Sequence, residues 1–428
     1  MTFRPIAKTI IETGSILLCT SIFIGCAGEG SQQTLRHSWA PLQLDDGWAI
    51  ASATDVALDP CLLDSMTAAI RRNEEYVNVH AVLIVKDGRL AYEQYFDGED
   101  VRLRGDARER VSLSFRADMR HDSRSVAKSV TSALVGIALG EGAISSLDTP
   151  LFDFFPEHAS LASRAKRQIT LRHALTMSAG LDWNETDVPY PDPQNHETQM
   201  GESEDPAAFV LGRSLAAEPG STWNYNGGLP TLLGMVVSRV TGQSFGAYAR
   251  ERLFDPLGIT DVEWSGPRAW SEIPELQWED AEFSSRGLAP FGSLWIRPRD
   301  LAKFGTLYLN DGRWQERQIL PRGWVEESTQ RLFTLRTAES DEYGEFGYGY
   351  FWWYNLFRTS EGNVVVHTAV GNGEQRIYVV PSLDMVVVHH AGRYDEDGEW
   401  MSERLLLNYI VPAARQVVPA DTRSCGTQ

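Results

Sequence analysis

The spacing of hydrophobic residues near the start of the chain predicts a helix followed by a hairpin. Helical spacing covers residues 62–73, and alternating or continuous apolar runs at 79–85 and 90–96 predict two strands around the turn-forming pair Asp87-Gly88. Residues 97–120 mix acidic and basic side chains with little periodicity, which predicts loops and at most a short strand. We expect the fold to begin near Trp48.

The middle of the chain is predicted to be mainly helical. Residues 125–141 are small and apolar, so this helix should be largely buried, with Asp122 and Ser123 as candidate caps. Further helical patterns, separated by Gly and Pro, cover residues 171–177, 206–215, 232–240, 245–254, 298–309 and 321–327.

The last quarter of the chain returns to strands and ends in a helix. The predicted strands cover residues 348–354, 363–367, 375–380 and 385–390, and the helix covers 402–411. Strands at both ends with helices between them predict an α/β (α+β) fold, in which one antiparallel sheet is built from both termini and carries an inserted, mainly helical subdomain. The sheet is expected from about 46–120 and 340–415, and the helical part from about 121–339.

The first residues are typical of a targeting segment. Arg4 and Lys8 precede an apolar run at 16–24 that is too short to span a membrane, and Gly25-Cys26 follows. We interpret 1–25 as a signal peptide that resembles the bacterial lipoprotein type, with Cys26 as the lipidated residue and sole membrane anchor. Ordinary secretion and a cytosolic start remain alternatives. A flexible tether (26–45), one folded domain (46–415) and a tail (416–428) would complete a protein of the cell envelope, facing the periplasm.

Charge and cysteine content narrow the possible partners. The 428 residues carry 39 basic and 58 acidic side chains, a net charge of -19 that argues against nucleic-acid binding. Loss of the signal segment and lipidation of Cys26 would leave Cys61 and Cys425 in an oxidising compartment. A disulfide between these two cysteines and two free thiols are both compatible with the sequence.

Ser125-Val126-Ala127-Lys128 is the first candidate for chemistry. In this S-x-x-K pattern a helix places serine and lysine one turn apart on the same face, so that the lysine can take or hold the serine proton. Ser163 and Lys166 have the same spacing, but they lie in a basic segment that we expect to be a solvated turn. Ser125 opens the most apolar helix and is therefore the preferred nucleophile.

Two further segments are candidates to complete a site. Tyr225 lies in a turn-forming stretch before another apolar helix, and a tyrosine beside a lysine can lose its proton and act as a base. Gly371-Asn372-Gly373 leads into a strand that we take for an edge strand, where glycines would let a substrate approach a free backbone amide. A packing tyrosine and a simple hairpin turn are the structural alternatives.

Other conspicuous residues have plainer interpretations. His389 and His390 are neighbours on a strand and point to opposite faces, which does not suit a metal chelate, so we interpret them as core or surface residues. The aromatic cluster at 346–353 is typical of a sheet core, with a hydrophobic substrate wall as the alternative. No metal and no cofactor are expected.

With these segments, the chain resembles the serine β-lactamase-related family, which includes class C β-lactamases, D-alanyl-D-alanine carboxypeptidases, esterases and nylon-oligomer hydrolases. Similar recurrent segments are Gly136 to Leu139, Leu171 to Leu181, Pro256 to Ile259 and Arg299 to Gly305. The resemblance implies Ser125 as the acylated nucleophile, Lys128 and Tyr225 as its activators, and the amides of Ser125 and Asn372 as an oxyanion hole. Tyr225, kept anionic by Lys128, would draw the serine proton.

Two departures from the family pattern bear on the substrate. Gly227 stands where the second motif commonly has asparagine, and Ala369-Val370-Gly371 replaces the Lys-Thr-Gly of β-lactamases proper. The resemblance therefore implies a hydrolase of a small-molecule ester, amide or peptide, closest to the esterase and nylon-oligomer hydrolase branches. Alternatives are a cell-wall peptidase for D-amino-acid peptides, a weak β-lactamase, and a non-catalytic penicillin-binding sensor.

Overall fold

A computed structural model describes residues 37–104, 107–190, 192–278, 286–336, 340–396 and 400–415. The predicted signal segment, Cys26 and the tail at 416–428 lie outside these residues. Within them, no helix has the length and apolar character needed to cross a membrane.

The helices and strands of the described residues follow the predicted order of strands, helices and strands. The strands are β1 (Val79–Lys86), β2 (Arg89–Tyr95), β3 (Asp97–Arg104), β4 (Ala107–Ser114), β5 (His121–Asp122), β6 (Val262–Trp264), β7 (Leu294–Ile296), β8 (Arg313–Trp314), β9 (Arg317–Gln318), β10 (Phe333–Leu335), β11 (Gly344–Tyr348), β12 (Trp353–Phe357), β13 (Val364–Gly371), β14 (Gln375–Val380) and β15 (Met385–Ala391). The α-helices are α1 (Pro60–Arg72), α2 (Val126–Gly140), α3 (Leu171–Leu175), α4 (His196–Glu202), α5 (Pro206–Gly212), α6 (Gly228–Thr241), α7 (Phe245–Ala249), α8 (Pro298–Leu309), α9 (Trp324–Thr329), α10 (Ser340–Tyr343), α11 (Met401–Leu405) and α12 (Val411–Arg415).

One eight-stranded antiparallel sheet joins the two ends of the chain. Its order is β10-β11-β12-β13-β14-β15-β1-β2, so β1 pairs with both β2 and β15. The predicted fold class is confirmed, since the strands come from both termini and most of the helices lie between them in sequence.

Alternate residues of β1 enter two different hydrophobic cores. Leu83 and Val85 belong to the core that includes α2, α6 and α8, whereas Val82 and Ile84 belong to the core that includes α1 and the C-terminal helices. Because both faces of this central strand are covered, its sequence is an almost continuous apolar run. Each fully buried side chain of this kind contributes about 1.5–3 kcal/mol to stability.

Helix α2 is buried along nearly its whole length, as predicted. A side-chain carbon at Gly136 would lie well inside van der Waals contact with Trp324, so the glycine permits close packing of the two segments. The expected caps are wrong. Asp122 accepts from the backbone amide of Arg124 at 3.0 Å, and Ser123 Oγ donates to the carbonyl of Leu294, because Asp122 ends β5 and Ser123 follows it before the helix N-cap at Ser125.

Three sequence-based boundaries need correction. Residues 97–104 and 107–114 pair as the antiparallel strands β3 and β4 instead of forming loops. Residues 348–354 are not one strand: β11 ends at Tyr348, β12 begins at Trp353, and the chain reverses between them. The folded body also starts before Trp48, because Trp39 is only 2 % exposed and donates a hydrogen bond to Asp64 at 2.7 Å.

Cys61, at the start of α1, is disulfide-bonded. The other three cysteines of the chain lie outside the described residues. A bond to Cys425 therefore stays a prediction.

Candidate active site

Ser125 follows a tight turn and begins the buried helix α2. The residue before it, Arg124, has a left-handed backbone with φ of 51°, and its side chain pairs with Asp122 at 3.0 Å. Ser125 occupies the N-cap position, yet its side chain caps no backbone amide. The Ser125 hydroxyl is therefore directed toward side chains, and the helix N-terminus lies beside the oxygen that would be acylated.

Lys128 contacts the Ser125 hydroxyl one helical turn later. Its Nζ lies 2.8 Å from Ser125 Oγ and donates to the carbonyl of Phe291 at 2.9 Å. The side chain is 1 % exposed, and this burial lowers the pKa of Lys128, while the carboxyl groups of Glu197 and Glu185 partly oppose the shift. Burial thus brings the amine closer to its neutral, proton-accepting form.

Tyr225 joins the same pair. Its hydroxyl is hydrogen-bonded to Ser125, and Lys128 Nζ lies over the face of its ring, 4.9 Å from the centroid. Asn224 fixes the segment through its side chain, which donates to the carbonyl of Trp183 at 2.9 Å. Burial and the charge of Glu185 raise the pKa of Tyr225 well above its usual value. This is the reverse of the anionic tyrosine expected from sequence, because the lysine nitrogen faces the ring and a carboxylate lies nearby.

Two glutamates near Lys128 were not recognised from sequence. Glu185 accepts from the amide of Gly227 at 2.6 Å and from Trp183 Nε1 at 2.8 Å. Glu197 is hydrogen-bonded to Glu185, and burial together with the Glu185 charge raises the pKa of Glu197 well above its usual value. A side-chain carbon at Gly227 would collide with the carboxyl group of Glu197. The one sign of these two glutamates in the sequence was Gly227, which stands where the family pattern has asparagine.

Gly371-Asn372-Gly373 forms the turn between β13 and β14, and it lines the same cavity as Ser125. A side-chain carbon at Gly371 would lie well inside contact with the carbonyl oxygen of Ser123, so the strand end packs directly against the turn before Ser125. Gly373 has φ of +84°, and Gln375 Nε2 donates to its carbonyl at 2.8 Å. The segment is a hairpin turn between two interior strands of the sheet, so the edge-strand expectation is wrong, while the oxyanion role stays a prediction.

The three predicted motifs share the wall of one cavity of about 290 Å³. Trp223, Tyr190 and Trp353 supply aromatic surface beside Ser125 and Tyr225. From the aromatic cluster at 346–353, Trp353 lines this cavity, while the residues buried in the core include Tyr348, Tyr350, Phe351 and Trp352. Of that cluster, Trp353 is therefore the residue placed to act as a hydrophobic wall beside Ser125, and this role stays a prediction.

The competing candidates have structural roles. Ser163, Arg164 and Arg167 are exposed around a turn, as predicted. Lys166 differs from the prediction: it is 8 % exposed and donates to the carbonyl of Leu211 at 2.8 Å. His389 and His390 are core residues: the first contacts the carbonyl of Glu374 at 2.8 Å, and the second contacts Gln375 Oε1 at 2.7 Å.

Known proteins share this sequence pattern and fold. The chain is 32% identical over 121 residues to a lovastatin esterase from Penicillium rubens, covering 27% of this chain and 29% of the esterase. It is 25% identical to the 6-aminohexanoate-dimer hydrolase of Paenarthrobacter ureafaciens, covering 66% of this chain and 69% of that protein. The first match thus spans under a third of the lovastatin esterase, and the second spans about two thirds of the 6-aminohexanoate-dimer hydrolase.

The fold also occurs in solved structures. A penicillin-binding protein homologue from Caulobacter crescentus superposes with a TM-score of 0.60 at 17% identity, covering 83% of this chain and 98% of that one. The sequence profile described as Beta-lactamase matches residues 72–405, which include Ser125, Lys128, Tyr225 and the glycine turn. From this match over most of its length, the chain belongs to the beta-lactamase family.

Proposed function

We propose that this protein is a serine hydrolase that cleaves an ester or amide bond through an acyl-enzyme on Ser125. The observation that carries the proposal is the 2.8 Å contact between Lys128 Nζ and Ser125 Oγ, made by a buried lysine whose pKa is lowered. Its relatives that are named by activity include an esterase and an amide-cleaving hydrolase, which supports the same reaction class.

In the proposed first step, neutral Lys128 takes the proton of Ser125 as Oγ attacks the substrate carbonyl. The amides of Ser125 and Asn372 would hold the oxyanion that forms. Tyr225, a neutral phenol because its pKa is raised, donates its proton to the leaving oxygen or nitrogen and regains one from Lys128. The carbonyl carbon loses the leaving group and remains bonded to Oγ.

Deacylation would use the same groups in reverse. A water molecule attacks the ester carbonyl of the acyl-enzyme and gives one proton to the Lys128–Tyr225 pair. That proton returns to Oγ as the carbon–oxygen bond breaks, which releases the acid and restores Ser125.

Substrate class follows from the walls of the cavity. Ala369-Val370 supplies no cation at the strand end where β-lactamases proper carry lysine, so a β-lactam carboxylate has no partner there. Aromatic side chains of Trp223 and Trp353 favour an apolar acyl or leaving group. We therefore place esters and amides with apolar groups ahead of D-amino-acid peptides and β-lactams. We further propose, on the sequence pattern alone, a lipoprotein attached to the envelope through Cys26.

The test compares two serines that share the same local motif. Wild type, Ser125→Ala and Ser163→Ala are incubated with a fluorophosphonate probe and weighed as intact proteins, and 4-nitrophenyl acetate hydrolysis is followed in parallel. We expect one adduct and ester turnover in wild type and Ser163→Ala, and neither in Ser125→Ala.

Lysine variants test the proposed base in the same assay. Lys128→Arg should lower kcat by about 10²–10⁴-fold, since a guanidinium cannot accept the proton, while Lys166→Arg serves as the matched control. Near-normal turnover in Ser125→Ala or Lys128→Arg would overturn the proposal. A stable β-lactam adduct without any ester turnover would favour the sensor alternative.

A further inference from the structure

A second cavity of about 180 Å³ lies beside the catalytic cavity. The two cavities share four lining residues, which are Trp353, Val370, Glu374 and Arg376. Val370 and Arg376 are direct register partners on β13 and β14, so the shared wall follows the strand end that carries the glycine turn. This adjacency makes the second cavity a candidate extension of the site at Ser125.

Aromatic side chains form the walls of the second cavity. Trp400 and Phe346 pack with their ring centroids 4.9 Å apart, and Trp353 stands at the junction with the catalytic cavity. Such walls fit a flat or chain-like apolar group, and their ring faces also attract cations.

Charged side chains in the same cavity carry an excess of negative charge. Arg376 Nε donates to Glu403 Oε1 at 2.9 Å, and its Nη2 lies 3.6 Å from Glu374 Oε2. One guanidinium thus faces two carboxyl groups. A third donor of Arg376, Nη1, is bound to the carbonyl of Gly371 at 3.1 Å. Glu374 Oε2 also accepts from the backbone amide of Ser402 at 3.1 Å and from the Ser402 hydroxyl. The arginine is occupied by its partners, and the charges of the three side chains sum to one negative unit.

The catalytic cavity has a second arginine, but this residue does not offset the negative charge of the second cavity. Arg393 pairs with Glu396 at 2.7 Å. A carboxylate entering from Ser125 would meet aromatic rings and an acidic set of side chains, whereas a protonated amine would meet partners of opposite charge.

We propose that the second cavity is a substrate subsite for an apolar group that ends in a protonated amine, and that Glu374 and Glu403 make it reject carboxylates. This inference rests on the proposed hydrolase function for its link to Ser125. Trp400 and Glu403 are its specificity-determining residues.

The kinetic test uses 4-nitrophenyl esters of 3-phenylpropanoic acid that carry an aminomethyl, methyl or carboxyl group on the ring. We expect kcat/KM to fall in that order, and the aminomethyl-to-carboxyl ratio to fall by about tenfold in Glu403→Gln, which removes one charge from the cavity. Glu316→Gln, a change at a fully exposed glutamate, is the matched control. A ratio that is unchanged in Glu403→Gln, or a wild type that prefers the carboxyl ester, would overturn the subsite.

A binding test separates the subsite from catalysis. Saturation-transfer NMR on the Ser125→Ala protein compares benzylamine with benzoate, and then repeats the comparison after adding Trp400→Ala. Stronger binding of benzylamine that Trp400→Ala abolishes supports the subsite, even if no ester is turned over and the hydrolase proposal fails. Equal or stronger binding of benzoate contradicts the subsite, even if ester hydrolysis proceeds.

Discussion

At the scale of single residues, the proton-transfer roles proposed for Lys128 and Tyr225 depend on groups that are distant in sequence. Burial lowers the lysine pKa, and burial with the Glu185 charge raises the tyrosine pKa. The S-x-x-K spacing predicts that Ser125 and Lys128 meet, and they do. It contains no information on Glu185 and Glu197, which come from a loop and from the short helix α4, so the direction of the proton transfer could not be read from the motif.

Replacing Glu197 with Gln should move the acid limb of the kcat/KM profile to lower pH. Above the raised pKa of Glu197, its ionised carboxyl group favours the protonated form of Lys128, and the amide removes that charge, so neutral lysine appears at lower pH. The other titratable or charged groups around Glu197 and Lys128 are Glu185, Arg124, Tyr225 and Tyr190.

The measurement is ester hydrolysis between pH 5 and 10 for wild type, Glu197→Gln and Glu197→Asp. The aspartate variant keeps the charge and should retain a profile close to that of the wild type. An unshifted or alkaline-shifted limb in Glu197→Gln would show that this carboxyl group does not tune Lys128.

At the scale of elements, the end of β13 is placed by direct contact with the turn before α2. Gly371 permits this contact, because any side chain would meet the carbonyl oxygen of Ser123. The sequence predicted that the glycine turn belongs to the site. It did not show that the turn joins interior strands, which follows from the pairing of β13 with β12 and of β14 with β15.

Gly371→Ala should reduce kcat by about 100-fold, because a shift of about 1 Å between the strand end and Ser125 misplaces the oxyanion donors. The fold should persist, since the sheet and α2 keep their cores. Gly212→Ala, at the end of α5 with open space around it, is the matched control. Steady-state kinetics measure the loss of activity, and thermal melting shows whether the fold persists. A wild-type kcat in Gly371→Ala would show that activity does not need the close contact between Gly371 and Ser123.

The hairpin of β3 and β4 was missed because its apolar residues are divided between two faces. Val101 and Leu103 on β3, and Val111 and Leu113 on β4, alternate with charged or polar residues over only a few positions. The register places Val101 opposite Arg110 and Val111 opposite Asp100, so neither face of the hairpin is uniformly apolar. At residues 348–354 the sequence predicted a strand that does not exist as one element. Buried apolar residues continue through the chain reversal between β11 and β12, and this continuous run has the pattern of a strand.

At the scale of the whole molecule, buried histidines link stability to pH. His121 stacks on Phe115 and His390, with centroids 4.6 and 4.7 Å away, and burial lowers the pKa of His121, His389 and His390. Burial also lowers the pKa of His80 and His367 to about 4. The native state therefore holds these rings neutral, whereas the unfolded chain protonates them below about pH 6.5.

We expect stability to be full above about pH 6.5 and to fall as the pH drops toward 4. The unfolded state binds more protons in this window, and His80 alone accounts for a loss of about 3 kcal/mol across it. Chemical unfolding monitored by tryptophan fluorescence at pH 7.5, 6, 5 and 4 measures the slope. His121→Phe keeps the ring stack and should reduce the pH dependence of the free energy of unfolding. The same pH dependence in wild type and variant would contradict the role given to His121.

The sequence by itself determined which segments would form the buried helix and the hydrophobic strands, since periodicity and burial act on neighbouring residues. It also determined that Ser125 and Lys128 meet, because one helical turn fixes their separation. Tertiary structure alone decided that Glu185 and Glu197 face Lys128, that the glycine turn lies against Ser123, and that a second cavity opens beside Arg376. Those contacts join residues from separate parts of the chain, and their electrostatics depend on burial, which exists only once the two cores have packed around the sheet.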